Sequence, residues 1–518
     1  MKSQSIARQV APLLACAVLA GCASAPFKQP PLDLPAAWQT ATPLGTASGK
    51  NANAGANTSI NTSAAAGTST GNGAAAVQTA ADGTHWKAGQ SNAAAQPKGE
   101  WWRVFNDAQL NQLIEQANQA NPGLAQAAAR VRQARALAGF KQAAQMPQVN
   151  AGLGATRSRA SSDGYPAGSS AAVLNSYQAN LGVSYEVDLF GRLSGEANAA
   201  KLDAAASEAN YRAVLLALQA DIAQNWFNLR ATDAELATLQ QTTQLREESV
   251  HVNQRRYDLG EIGEFDLVRA RTELSTARAE FIGLQRQRVG YEHALAILQG
   301  KAPAQFSQAS LPLAQDSNVP VIPAGMPSSL LERRPDIAAA QRGMEASWAR
   351  IGAARAAMFP VLNLNFSGGG AAGTLSNVLN WSSRSWVLGA LASVPLLDGG
   401  RNQANIAGSE AVLEQAVAGY RQNVLVAFAE VEDNLAGLRI LADQATQIDD
   451  AVLSARRALE LAQSLYGAGR SSYLDLLDAQ RNLASAQRSA VQVRGRRAVG
   501  TVALIRALGG GWEGSSIQ

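Results

Sequence analysis

Long stretches of this chain repeat apolar residues every three or four positions, and short runs between them alternate apolar with polar. Along 402–466, Leu413, Val417, Tyr420, Val424, Phe428, Val431, Leu435 and Leu438 follow at steps of four, three, four, four, three, four and three. This near-heptad spacing predicts a helix whose apolar seam packs against other helices, with the intervening alanines permitting close approach. No proline interrupts 194–258 or 402–466. Each therefore predicts a single rod of about 65 residues, about 100 Å long at the α-helical rise. No globular core needs rods of that length. The opposite strip of Gln, Asn, Asp, Glu and Arg suits either a water-filled lumen or an ordinary solvated face.

Each rod is followed by a short turn and a returning helix, predicted over 264–299 and 472–508. Two shorter helices are predicted over 122–145 and 335–358. Pro122 and Pro335 open them, where a missing N–H costs nothing, and Pro147 and Pro360 stop them. A short helix plus a returning helix is nearly as long as one rod, which predicts stacked pairs beside continuous columns.

Four segments read as strands: 148–158, 177–189, 361–367 and 385–396. In the second, Tyr177, Leu181, Val183, Tyr185 and Val187 share one parity against Gln178, Asn180, Gly182, Ser184 and Glu186. Most have the length of a tilted membrane-crossing strand; 361–367 is short unless its following glycines extend it. Turns over 160–174 and 368–381, rich in Gly, Ser and Asn, join them. Short polar hairpins also suit a soluble sandwich. If the strands lie in lipid, four of them need partners, because open edges are not tolerated there.

The elements occur twice. Asn121-Pro122-Gly123-Leu124 matches Arg334-Pro335-Asp336-Ile337, and Met146-Pro147 matches Phe359-Pro360, both offset by 213. Gly191-Arg192 matches Gly400-Arg401, and Tyr257-Asp258-Leu259-Gly260 matches Tyr466-Gly467-Ala468-Gly469, both offset by 209. The chain divides accordingly into repeats 101–300 and 330–509, an inter-repeat segment 301–329 and a tail 510–518.

The start of the chain adds an address. Lys2 and Arg8 precede the apolar run 10–20, and Leu19-Ala20-Gly21-Cys22 has the form of a bacterial lipobox. Residues 1–21 are a predicted signal peptide and Cys22 a predicted lipidated first residue. Ala23 and Ser24 lack the charge that favours inner-membrane retention, so the outer membrane is the expected destination. Within the lead 22–100, the stretch 41–84 is almost all Ala, Gly, Asn, Ser and Thr, with Lys50 and Asp82 its only charges. Such a stretch buries too little apolar surface to offset its ordering entropy and predicts a flexible tether.

Composition narrows the chemistry. Removing Lys2 and Arg8 lowers the formal charge from +4 to +2, scattered rather than clustered, which is no nucleic-acid footprint. The only other cysteine, Cys16, lies in the signal, so the mature chain has no disulfide or cysteine metal site. His85, His251 and His293 are the only histidines, and no hydrolytic, redox or phosphate-loop motif occurs. No catalytic residue, metal or cofactor is expected beyond the covalent lipid on Cys22. Asp188 and Asp398, at the junctions from strand to rod, read as helix caps or rim ionic contacts rather than acid–base groups.

Several motifs together resemble the TolC-like outer-membrane factor family, in the lipoprotein branch of RND-type efflux channels. They are Trp101-Trp102-Arg103-Val104-Phe105, Tyr185-Glu186-Val187-Asp188-Leu189-Phe190-Gly191-Arg192, Glu332-Arg333-Arg334-Pro335-Asp336-Ile337, Pro395-Leu396-Leu397-Asp398-Gly399-Gly400-Arg401 and Tyr473-Leu474-Asp475-Leu476-Leu477-Asp478-Ala479-Gln480-Arg481. The resemblance implies an α/β membrane protein: a homotrimer whose 12-stranded β-barrel, four strands per chain, continues into a long periplasmic α-helical barrel. It implies a passive duct for drugs or other small molecules, partnered by a periplasmic adaptor and an inner-membrane RND-type transporter. A protein-secretion exit duct and a non-channel structural envelope lipoprotein are the alternatives.

The resemblance also implies a periplasmic gate at Leu474, Asp478 and Arg481. Their spacing puts them on one helix face, where a solvated intrahelical pair is the plainer reading. The turns Leu259-Gly260-Glu261-Ile262-Gly263 and Ala468-Gly469-Arg470-Ser471-Ser472 are the implied adaptor-contacting tips; helix-capping glycines explain part of the same pattern. Trp381, Trp386, Tyr165 and Tyr177 suit a membrane interface or simple packing.

Overall fold

The computed structural model describes Phe27, 77–79, 85–87, 99–159, Ser161, 173–314, Pro320, Ile322 and 329–510. The predicted signal, Cys22, most of the lead, Tyr165 and the tail beyond 510 lie outside these residues. The short strands β1 (Val77–Thr79) and β2 (His85–Lys87) pair antiparallel, so regular structure reaches into the stretch expected to be a featureless tether. Val77 and Trp86 are β-favouring residues at the edge of that low-complexity sequence.

The main series runs α1 (Ala108–Ala120), α2 (Pro122–Ala143), β3 (Gln148–Arg159), β4 (Val173–Val187), α3 (Arg192–Asp258) and α4 (Glu264–Leu298). A second series follows: α5 (Ser329–Arg333), α6 (Pro335–Ala356), β5 (Val361–Ala372), β6 (Arg384–Ser393), α7 (Arg401–Gly467) and α8 (Tyr473–Ala507). Corresponding helices have equal lengths: 22 residues in α2 and α6, 67 in α3 and α7, 35 in α4 and α8. Among the described residues no helix is long and apolar enough to cross a membrane.

Both short helices stop two residues before the expected ends. Pro147 has no N–H to offer the Ala143 carbonyl, and that oxygen accepts instead from Gln148 Nε2 at 3.1 Å and Met146 N at 3.0 Å.

Two compact units divide these elements, each drawing on both series. One contains Ala127–Tyr211 and Ala339–Asn423 and holds the four-stranded sheet, ordered β3-β4-β5-β6 and antiparallel throughout. Its helices pack closely through small residues; a Cβ on Gly195 would lie 3.2 Å from Ala353 Cβ. Phe190 stacks on Phe359 at 4.8 Å beneath the strands.

Strand β5 runs to Ala372, five residues beyond the expected 361–367, so part of the predicted loop 368–381 is strand. The glycines explain the extension. A Cβ on Gly369 would lie 2.1 Å from Ala179 O, and one on Gly370 1.9 Å from Val378 O. Only residues without a side chain let the backbones approach this closely. Strand β4 likewise begins earlier than expected, at Val173, and ends at Val187, while β6 stops at Ser393.

At the junctions, Asp188 accepts from Leu193 N at 3.1 Å and Ser194 N at 2.8 Å; Asp398 accepts from Gly400 N at 3.0 Å and Asn402 N at 2.9 Å. Both carboxylates cap the long helices that follow, as their positions suggested. Burial pushes the Asp188 carboxyl up, but its Ser194, Leu193 and Arg192 hydrogen bonds outweigh this and hold its pKa below the ordinary value.

The second unit contains Arg212–Ala338 and Val424 onward, with α1. Trp226, Ile222, Leu229, Leu295, Ile337 and Leu504 are nearly or fully buried there. Buried charges hold its connections. Arg334 meets Asp336 at 2.7 Å, Glu430 at 2.5 Å and the Ala507 carbonyl at 3.1 Å. Asp233 accepts from Arg288 at 2.7 Å and from Leu311 N at 2.9 Å, tying the inter-repeat segment to α3.

Candidate functional site

The strands form a surface with two chemistries. Continuous register puts Leu153, Leu181, Val183, Leu364, Phe366 and Leu388 on one face. The other face carries Asn150, Asn180, Ser184, Asn365 and Ser367, together with Leu174, Val387 and Leu391. A hollow of about 280 Å³ is lined by Asn150, Gly182, Val183, Ser184, Asn365, Phe366, Ser367, Val387 and Gly389, most of them on this second face. A sheet with one face mostly apolar and the other rich in Asn and Ser has the chemistry of a water-filled barrel wall in lipid. Its outer strands, β3 and β6, each have one edge unpaired among the described residues.

The two helical turns are alike in backbone. Glu261 N bonds Arg256 O at 2.8 Å and Gly260 N bonds Tyr257 O at 2.9 Å, while Arg470 N bonds Leu465 O at 2.8 Å and Gly469 N bonds Tyr466 O at 3.0 Å. These are Schellman closures, and Gly260 and Gly469 take φ values of 74° and 68° as such closures require. No atom lies within 4 Å of a Cβ added at either glycine, so the dihedral alone favours glycine. The turns differ in chemistry. Glu261 pairs with Arg256 at 3.2 Å, whereas Ser472 caps α8 through a reciprocal box with Asp475. The Ser472 hydroxyl and backbone N–H hold the Asp475 carboxyl below its usual range. Gly263 begins α4 without a side-chain cap. Glu261, Arg470 and Ser472 are exposed; Ile262 and Ser471 are half-buried.

The three residues singled out on α8 lie close to these turns. Leu474 and Asp478 are exposed, and Arg481 meets Asp478 at 3.5 Å. The structure adds a stronger partner: Glu273 on α4 accepts from Arg481 and, at 2.7 Å, from Arg246 on α3. The Glu273 side chain is 11% exposed against 56% for Asp478. Arg481, then Arg246, outweigh burial and keep the Glu273 carboxyl below its ordinary pKa. Beside this ion cluster, Ala270, Tyr473 and Leu477 form a small core, flanked by Val250 and Tyr466. Arg256 donates to the Tyr466 hydroxyl and lies 5.3 Å from its ring centroid.

Glu273 and Arg246 were missed in the sequence. A signal existed: Leu267, Ala270, Glu273 and Ala277 form one buried stripe of α4, and a carboxylate among apolar positions calls for a cation. Among the described residues no cluster of His, Cys, Asp and Glu is arranged to hold a metal ion.

The family model described as Outer membrane efflux protein matches residues 113–301 and 326–510. Outer membrane protein OprJ of Pseudomonas aeruginosa is 35% identical over 435 residues, spanning 82% of this chain and 91% of its own. Cation efflux system protein CusC of Escherichia coli O6:H1 is 33% identical over 432 residues, spanning 82% and 91%. A crystal structure of a membrane protein from Pseudomonas aeruginosa aligns with a TM-score of 0.74 at 35% identity, over 78% of this chain and 91% of that one. The two matched stretches enclose both series from α2 to α4 and α5 to α8, and with relatives at this identity and coverage the chain belongs to the outer membrane efflux protein family.

Proposed function

We propose that three copies of this chain close one duct through the outer membrane. The chain is the outer-membrane channel component of a tripartite efflux system, and it is not an enzyme. The observation that carries the trimer is the sheet: four strands, one face rich in Asn and Ser, and, among the described residues, an unpaired edge on each side. Unpaired strand edges are costly in lipid, and three such sheets joined edge to edge make a closed 12-stranded wall. The long helices continue that wall into the periplasm.

In this reading Cys22 carries the lipid that tethers the chain to the membrane, as in the lipoprotein branch. The turns at Gly260 and Gly469 receive a periplasmic adaptor, and an inner-membrane transporter of the RND type supplies the energy. Drugs or other small molecules selected by that transporter pass through the duct. Leu474, Asp478 and Arg481 narrow the periplasmic end, and Glu273 anchors Arg481 there.

Purified protein tests the reading directly. Mass measurement in detergent should give three chains per particle, and the particle should conduct ions in a planar bilayer. A monomer, or a trimer without conductance, overturns it. Asp478→Ala combined with Arg481→Ala should raise single-channel conductance while the trimer stays intact; unchanged conductance removes the gate assignment. Intact mass should include acyl chains that Cys22→Ser abolishes.

A further inference from the structure

The free charges of the sheet gather at one end of one face. Register pairs Leu153 with Ala179, Ala179 with Gly370 and Gly370 with Arg384, so Arg384 belongs to the apolar face. Arg157 and Arg159 lie four and six residues beyond Leu153 on β3 and share its parity. All three arginines are exposed, and all three lie where their strands are remote from the long helices. Aromatic residues lie at the same end of the sheet. Tyr177 and Trp386 share the face, and the Arg384 guanidinium stands 4.5 Å from the Trp381 ring centroid.

The opposite end of the sheet is built differently. Arg192 is neutralised there by Glu186 at 2.7 Å and Glu196 at 3.2 Å. Glu186 is the only acidic residue in the four strands. None of the three remote arginines has an ion pair to a described residue. Across 154–176 and 370–386 the sequence sets these three cations against one acid, Asp163.

A cation on the lipid-facing side of a barrel is costly at the bilayer midplane and nearly neutral near the interface. Three together therefore mark headgroup depth, and planar guanidinium forks match phosphate oxygens. In an outer-membrane protein with periplasmic helices, the remote strand ends meet the outer leaflet. We propose that Arg157, Arg159 and Arg384 form a seat for the phosphate groups of an outer-leaflet glycolipid. The arginines lie on β3 and β6, the two open edges. Resting on the trimer reading above, closure brings Arg384 of one subunit beside Arg157 and Arg159 of the next, giving three seats per particle.

The test uses the full-length protein in phosphatidylcholine nanodiscs containing bisphosphorylated lipid A, with retained lipid counted by native mass spectrometry. Arg157→Gln, Arg159→Gln and Arg384→Gln together should weaken retention about tenfold or more, as loss of several charge-assisted hydrogen bonds implies. The triple lysine variant should retain an intermediate amount, and dephosphorylated lipid A should bind the unaltered protein no better than the glutamine variant does. Heat-modified gel mobility checks that the variants keep the folded barrel. Equal retention by the unaltered and glutamine proteins overturns the seat, as does retention indifferent to phosphate. Particle mass separates the two readings: a monomer that still loses lipid A on substitution overturns the shared seam and keeps the phosphate seat.

Discussion

Glu273 on α4 and Arg481 on α8 are hydrogen-bonded across 208 residues of sequence, so the two returning helices are latched to each other near their turns. Arg246 on α3 holds the same carboxylate, making one acid the hub of three helices. Glu273→Gln removes the charge and keeps the shape. Loss of a hydrogen-bonded, mostly buried ion pair costs about 1–3 kcal/mol, concentrated at this end of the helices. The expected outcome is higher single-channel conductance and greater sensitivity of cells to large antibiotics, with trimer yield unchanged. Conductance equal to that of the unaltered protein removes Glu273 from the latch.

The same carboxylate predicts a pH response. Its folded pKa lies below the ordinary value, so the latch contributes fully above the ordinary carboxylate range and weakens as pH falls through the folded pKa. Acidification below about pH 4 should raise conductance in planar bilayers. Glu273→Gln should flatten that part of the rise; an identical acid response in the variant assigns it to other groups.

Gly369 tests the close approach of β4 and β5. A Cβ there meets the Ala179 carbonyl and, at 2.8 Å, Asn180 Cα. Gly369→Val must therefore part the two strands, at a cost of about 1–3 kcal/mol or more by analogy with overpacked cores. The temperature at which the heat-resistant oligomer dissociates should fall. Gly389→Ala, which meets no atom within 4 Å, should leave it unchanged.

Gly260 separates folding from docking. A Cβ there meets no described atom within 4 Å, and the left-handed dihedral costs about 1–2 kcal/mol. Gly260→Trp should therefore preserve the trimer and reduce capture of the adaptor in a pull-down. Loss of the trimer together with capture would assign the glycine to folding alone.

Much of this architecture was legible along the chain because its signals are local. A proline opens each 22-residue helix, the absence of proline predicts both long rods, with an apolar seam along the second, and Gly260, Gly469, Asp188 and Asp398 close or cap helices through atoms a few residues away. Duplication added a second reading of every boundary. The four strand segments could be recognised from alternation, although their ends could not. Strand β5 continues through Gly368, Gly369 and Gly370 only because another strand and its own loop come close enough to require glycine.

Local pattern establishes which residues lie on a helix or strand and which face they share, since backbone hydrogen bonds repeat over three to five residues. It carried the rods, the turns and the shared helix face of Leu474, Asp478 and Arg481. It was silent on Glu273 as the shared partner of Arg481 and Arg246, and on the arginines gathering at one end of the sheet. Those relations join residues far apart in sequence. Long-range packing and strand register bring them together, and no short-range periodicity encodes either.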